Sequence, residues 1–264
     1  MKRIRIFIIC LSCFLPIQEI DARYWLTPYS YCGGNPVNNI DPDGMDQYDI
    51  NGLGMVVNII KDEQKDAFYR VDRADDGSYH RTGAQLLLPY STISAFGNGL
   101  DSDSMPYNYF IVNNTSAGTS LFEFFADNTS VEWTIYGLTS LEGNKISTVS
   151  SSHKAMYDAS GGAMQEFIFS GDYVVNEHIH NHPSANPVEM PSGLLPGDMK
   201  GDVFFARDLN TKLQNIHKEI PSYKLYVNKK YINWNANSKP SDFGRANDGT
   251  WLPTLPEIIC RPIK

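Results

Sequence analysis

HIHNHPSANPVEMPSGLLPGDMKGD, residues 178–202, decides how this chain reads. Side chains alternate along a strand, so His178, His180 and His182 point to one side. Neutral imidazoles two apart can reach one ion, and imidazole suits zinc. Pro183 ends the strand, and a Pro/Ser/Gly loop leads to a helix that opens with Asp202. A carboxylate at that helix start completes three protein ligands for Zn2+ and leaves a fourth position for water. Asp198 lies in the loop as a competing ligand; its bland role is to form a turn beside Gly197. An H-x-H on its own is weak, because a fortuitous surface cluster explains it as well.

Outward from this stretch the pattern is α+β. Downstream, DVFFARDLNTKLQNIHKE (202–219) predicts a helix with Val203, Phe204, Ala206, Leu209, Leu213 and Ile216 on one side and Asp202 as its N-cap. SYKLYV and KYINWNA predict a hairpin around Asn228. Upstream, EFIFSGDYVVNEHIHNHP (166–183) predicts a strand pair or one long strand, and KISTVSSSHK (145–154) and SVEWTIYGL (130–138) predict strands. SLFEFFADN (120–128) predicts a helix with an aromatic face. MVVNII (55–60), AFYRVDR (67–73) and QLLLPY (85–90) predict short strands, with a turn at Asp75, Asp76 and Gly77. His80 there reads as a surface residue. The expected division is a β-rich segment over 46–104 and a mixed-sheet domain over 105–264 that holds the histidines.

The ends bear on context. Lys2, Arg3 and Arg5 precede an apolar run from Ile6 to Ile17, too short to span a bilayer. Residues 1–22 read either as an export signal ending at Ala22 or as the misread start of a longer gene. The four cysteines indicate no disulfide framework. A formal charge of -8 lacks the basic footprint that grips phosphate backbones, which argues against nucleic acid as the partner. Residues 23–45 are dense in turn-formers, and PYSYCGGNPVNNIDPDG resembles the end of the core of Rhs/YD-repeat proteins. In that family a variable toxin domain follows a DPxG signature, which would start it here near Asp46.

The wider pattern around the histidines resembles a second family. His180-Asn181-His182-Pro183-Ser184, then Pro191-Ser192, then Asp202 opening an apolar helix resemble the JAMM motif of JAB/MPN metalloproteases and its RadC-like branch. There is one departure: the family's aspartate position, three residues after the serine, is Leu195, and GLLPGDMKG intervenes. Asp202 is preferred over Asp198 because it opens the amphipathic helix. The resemblance implies a JAB/MPN-like, cytidine-deaminase-like layered mixed β-sheet flanked by helices. It also implies a general base and acid on an earlier strand, which Glu132 matches, and an oxyanion support, which Ser192 matches. Apolar flanks at Val131 and Trp133 make an unpaired Glu132 costly unless it has a role. The bland role of Ser192 is loop capping.

Over roughly 105–235 these features, set after an Rhs terminus, resemble the JAB-like toxins of polymorphic systems. That implies a secreted or delivered effector peptidase acting on peptide or isopeptide bonds, with a cognate immunity protein. Two rivals remain. One is a nuclease-type toxin using His178, His180 and His182, which the acidic charge disfavours. The other is an inactive MPN-like binding module, which the complete ligand set disfavours.

Overall fold

The computed structural model describes residues 46–250, apart from 62–64, 102–103, 157, 172, 185–186, 217 and 246–248. The apolar N-terminal run, the Rhs-like stretch and all four cysteines lie outside the described residues. No helix among the described residues is long and apolar enough to cross a membrane.

Two mixed sheets carry the fold. Strands β1 (Asp46–Ile50), β2 (Val56–Lys61), β3 (Ala67–Arg73) and β4 (Tyr79–Leu87) form the first, in the order β2-β1-β3-β4 with β1 and β3 parallel. The chain then runs through β5 (Ile93–Leu100), β6 (Pro106–Val112), α1 (Thr115–Asn128), β7 (Thr134–Thr139), β8 (Lys145–Ser151), α2 (Ser160–Ser170), β9 (Val174–Asn181), α3 (Asp202–Asn215), β10 (Ser222–Val227) and β11 (Lys230–Trp234). These strands form a seven-stranded sheet ordered β11-β10-β9-β7-β8-β6-β5, in which only β9 and β10 run parallel. The α+β class expected from the sequence stands.

Each face of the large sheet has its own core. Ile135 joins one and Tyr136 the other, as strand alternation requires. On the first face α1 lies between the two sheets. Asn114 caps it by accepting the backbone N–H groups of Ser116 and Ala117. Its buried side presents Leu121, Phe122, Phe125 and Ala126. Phe125 stacks on Trp133 at 4.1 Å and meets Phe68 of the small sheet edge-on at 5.5 Å. Each such fully buried ring contributes about 1.5–3 kcal/mol. Gly54, at φ +72°, lies under Trp133; a Cβ there would stand 2.8 Å from the indole, so the β1–β2 turn requires glycine. On the other face, Met164 and Ile168 of α2 and Val203, Ala206, Leu209 and Leu213 of α3 share a core with Tyr136, Tyr223 and Leu225.

Three sequence expectations change. Residues 166–183 are not a strand pair: α2 occupies 160–170, and only 174–181 is strand. Gly161, Gly162 and the β-favouring Phe167 and Phe169 mask the helix, whose start is held by Asp158 accepting the Ser160 N–H. Second, β5 falls within 46–104 but pairs with β6, so the large sheet begins before residue 105. Third, Asp202 is the first residue of α3 and not its cap, a place taken by Gly201 at φ 125°.

Candidate metal centre

His178 and His180 ride on β9 with their side chains buried, and His182 follows one residue past the strand's end. Asn181, between the two ligand histidines, faces the other way. Its Oδ1 accepts the Trp133 N–H at 2.6 Å, and its Nδ2 donates to the Val131 carbonyl at 3.3 Å. This clamp holds the two neighbours of Glu132 against the end of β9. Glu132 donates its own N–H to Lys154 and accepts the Ser151 hydroxyl at its carbonyl. Its side chain therefore lines the cleft that His180, His182 and Asp202 line. Glu132 sits two residues before β7 begins, not within a strand. Sequence reading passed over Asn181; the available signal was a polar residue on the apolar phase of β9.

Asp202 arrives from the loop side. Its Oδ2 lies 3.2 Å from His180 Nε2 and 3.8 Å from His182 Nε2. The ligand atoms of these three residues fall within 4.8 Å of one another, so the group can hold a metal ion. Outer contacts set the ligands. The His182 Nδ1–H donates to the Val188 carbonyl at 2.6 Å, which leaves Nε2 as the free lone pair. Asp202 Oδ2 accepts both the N–H and the hydroxyl of Ser192, at 2.6 and 2.9 Å, and the Ser192 hydroxyl in turn accepts the Asp202 N–H. Both ring nitrogens of His180 are buried without a hydrogen-bond partner among the described residues. The 3.2 Å approach to Asp202 brings charge close without hydrogen-bond alignment. Two imidazoles, one buried and one at the cleft edge, converging on a carboxylate in this way fit a cation.

Proton affinities agree with that arrangement. Burial pushes Glu132 up to about 8; the positive field of His180 opposes this, while Asp202 and Asp158 add to it. Burial alone would raise Asp202, but His180 and His182 outweigh it and hold the carboxyl well below the usual range. Burial likewise opposes charge on His180, yet Asp202 wins and raises it.

Five other acidic or histidine side chains nearby stand outside this three-residue group. Asp198 accepts the Leu195 N–H at 2.8 Å and is not in the metal-ligand group. His178 packs against Tyr136, Phe205 and Tyr223, and burial lowers it to about 3. Glu177 pairs with Lys224, Glu189 accepts from Asn228, and Glu123 accepts the Tyr231 hydroxyl.

Residues 110–207 match the family model of JAB-like toxin 1. The matched stretch runs from β6 into α3 and includes Glu132, His180, His182, Ser192 and Asp202. The JAB-like match thus covers the candidate centre and leaves the small sheet and β10–β11 outside it. No curated protein and no solved structure matches the chain.

Proposed function

We propose that the chain is a zinc-dependent peptidase or isopeptidase of the JAMM type, the toxin part of an Rhs-type polymorphic effector. In this reading the seven-stranded sheet, from β5 onward, and the helices on it are a layered JAB/MPN-like domain. The protein is secreted or delivered to another cell, acts on a protein or peptide there, and has a cognate immunity protein at home. One observation carries the reading. His180, His182 and Asp202 converge within 4.8 Å in a cleft that the half-buried Glu132 also lines.

Zinc held by His180, His182 and Asp202 would supply Lewis acidity toward water and a carbonyl. Glu132, facing the ligands from the cleft wall, then takes a proton as carboxylate and returns it to the leaving amine. Asn181 keeps Glu132 facing the ligands, and Val188 keeps His182 in the tautomer with Nε2 free. Ser192 is proposed to support the oxyanion. Its two donors hold Asp202 in the structure, so it reaches an oxyanion only by exchanging one of those bonds. The nuclease alternative asks His178 to act together with the other two histidines, and the packing of His178 among aromatic rings gives that no support. The inactive-module alternative leaves the complete ligand set without a use.

Metal analysis of the purified protein tests the reading. About one zinc per chain is expected. A His180→Ala, His182→Ala double variant that stays folded with full zinc would eliminate the site. Asp202→Asn is expected to cost far more zinc affinity than Asp198→Asn; the reverse would move the third ligand into the loop. Glu132→Gln is expected to retain zinc and lose toxicity on expression, with catalysis down about a hundredfold or more.

A further inference from the structure

The connection from β8 into α2 runs beside the candidate centre, and one side chain fastens it. Asp158 Oδ1 accepts the backbone N–H of Ser152 at 2.9 Å and that of Ser160 at 3.0 Å. Its Oδ2 accepts the hydroxyl of Thr134 at 2.6 Å and that of Ser160 at 2.7 Å. Ser152 follows the end of β8 and Ser160 begins α2, so one carboxyl ties both ends of the connection together. Thr134 fixes that knot to the sheet. It opens β7, stands two residues after Glu132 and pairs with His180 of β9. A helix start alone asks for less. The Ser160 N–H bond would serve α2, whereas the Thr134 and Ser152 bonds lie outside the helix.

The same stretch holds Glu132. Its backbone is fixed by the Lys154 carbonyl, by the Ser151 hydroxyl and by the Asn181 clamp on its two neighbours. Those contacts stop short of its carboxyl. A glutamate side chain has rotatable bonds of its own, so a fixed backbone still leaves the carboxyl free to turn. The donor that reaches it is the backbone N–H of Asp158. Such an N–H can be accepted by a carboxylate and by the carbonyl oxygen of the protonated acid alike. It therefore holds the group through both halves of a proton transfer. The charge of Asp158 is a cost, because it adds to the proton affinity of Glu132. Four donors stabilise that charge, and a dication on His180, His182 and Asp202 would oppose it.

We propose that Asp158 is the positioning residue of Glu132. Its side chain fastens the β8–α2 connection to β7, and its own backbone N–H, placed by that fastening, holds the Glu132 carboxyl at the cleft. The base role of Glu132 rests on the peptidase reading; the contact between the two residues does not.

Amide hydrogen exchange, read residue by residue by NMR on the full-length protein freed of metal, tests the contact. Glu132→Gln retains an acceptor and is expected to leave exchange at the Asp158 amide slow. Glu132→Ala removes it and is expected to speed that amide about tenfold or more. Asp158→Ala is expected to speed the amide at position 158 by a similar factor while β7 and β9 exchange as in the parent. Asp158→Asn keeps an acceptor for the two backbone N–H groups, and the hydroxyls can turn to accept its amide, so it is expected to stay near the parent. Thr134→Val removes only the bond to β7; it carries the test if Asp158→Ala does not fold, and is expected to speed the same amide severalfold. An Asp158 amide indifferent to Glu132→Ala would overturn the contact. Exchange quickened throughout β7 and β9 would make Asp158 a structural cap, and Asp158→Asn behaving like Asp158→Ala would place its effect in the charge; either sinks the proposal. With zinc restored, Asp158→Ala is expected to keep its metal and lose toxicity on expression by about tenfold or more in surviving cells. Zinc and full toxicity retained together would show that Glu132 works without Asp158. A parent chain that carries neither zinc nor toxicity, yet gives the expected exchange pattern, keeps Asp158 as the holder of Glu132 and loses the peptidase.

Discussion

Glu132 carries its carboxyl beside Asp202 and Asp158 in a half-buried position, and its effect on stability follows from that surrounding. Its folded value is about 8, against roughly 4.3 for an unfolded glutamate. The folded, metal-free protein therefore binds this proton more tightly than the unfolded chain. The contribution is fully present below about pH 4.3 and is lost as pH rises through about 8. Within that window each pH unit costs ~1.4 kcal/mol. Glu132→Gln mimics the protonated acid and has no such dependence. With metal chelated, the variant is expected to match the parent at pH 4.5 and to exceed it by a few kcal/mol at pH 8.5, read from urea midpoints. His178 works in the opposite sense. Lowered to about 3, it costs stability as pH falls below about 6.5, but it does so in both proteins and cancels in the difference. A gap that does not widen with pH would show that Glu132 is not desolvated beside Asp202.

The start of α3 positions Asp202, the third member of the candidate metal group. Gly201 at φ 125° lets Ser192 and Gly193 close on the helix, and a Cβ there would stand 2.6 Å from Ser192 Oγ and 2.8 Å from the Gly193 nitrogen. That contact makes the reciprocal Ser192–Asp202 hydrogen bonds possible, along with the Val203 N–H to Ser192 carbonyl bond at 3.2 Å. Gly201→Ala adds both left-handed strain and a collision, so a loss of about 1–3 kcal/mol is expected. Zinc affinity should fall with it, as measured by competition with a chromogenic chelator; unchanged affinity would mean that the loop does not position Asp202. At this scale the sequence was informative where a period was clean. The two-residue spacing of His180 and His182 and the apolar stripe of α3 are local patterns; Val203, Ala206, Leu209 and Leu213 are buried as read, while α3 stops at Asn215 and leaves Ile216 exposed past its end. The helix α2 was hidden by its glycines and phenylalanines, because its support comes from Asp158, which accepts the Ser160 N–H, and from the sheet beneath. Asn181 stood out only as a polar residue on the apolar phase of β9, and its partner could not be read. Its role depends on β9 lying beside β7, a pairing that no local pattern announces.

At the scale of the whole molecule the small sheet and the candidate centre are parts of one packed body. Tyr48 and Phe68 of the small sheet share a core with Phe110, Phe125, Trp133 and Ile179. Trp133 adjoins Glu132, and Ile179 lies between His178 and His180. Loss of the small sheet would expose the aromatic face of α1 and loosen both strands that carry the site. Phe68 is the direct probe, since it is fully buried and touches Tyr48, Phe110 and Phe125 while standing apart from the metal ligands. Phe68→Ala is expected to cost about 3–5 kcal/mol, the usual loss for a buried phenylalanine whose site cannot collapse. The destabilised protein should still unfold in one transition, because the core it weakens is shared. Zinc release into a chromogenic chelator should then follow the same urea curve as far-UV circular dichroism, with both midpoints lowered together. Two separate curves, with zinc retained after half the dichroism is lost, would show that the small sheet melts on its own and that the centre is supported by the large sheet alone.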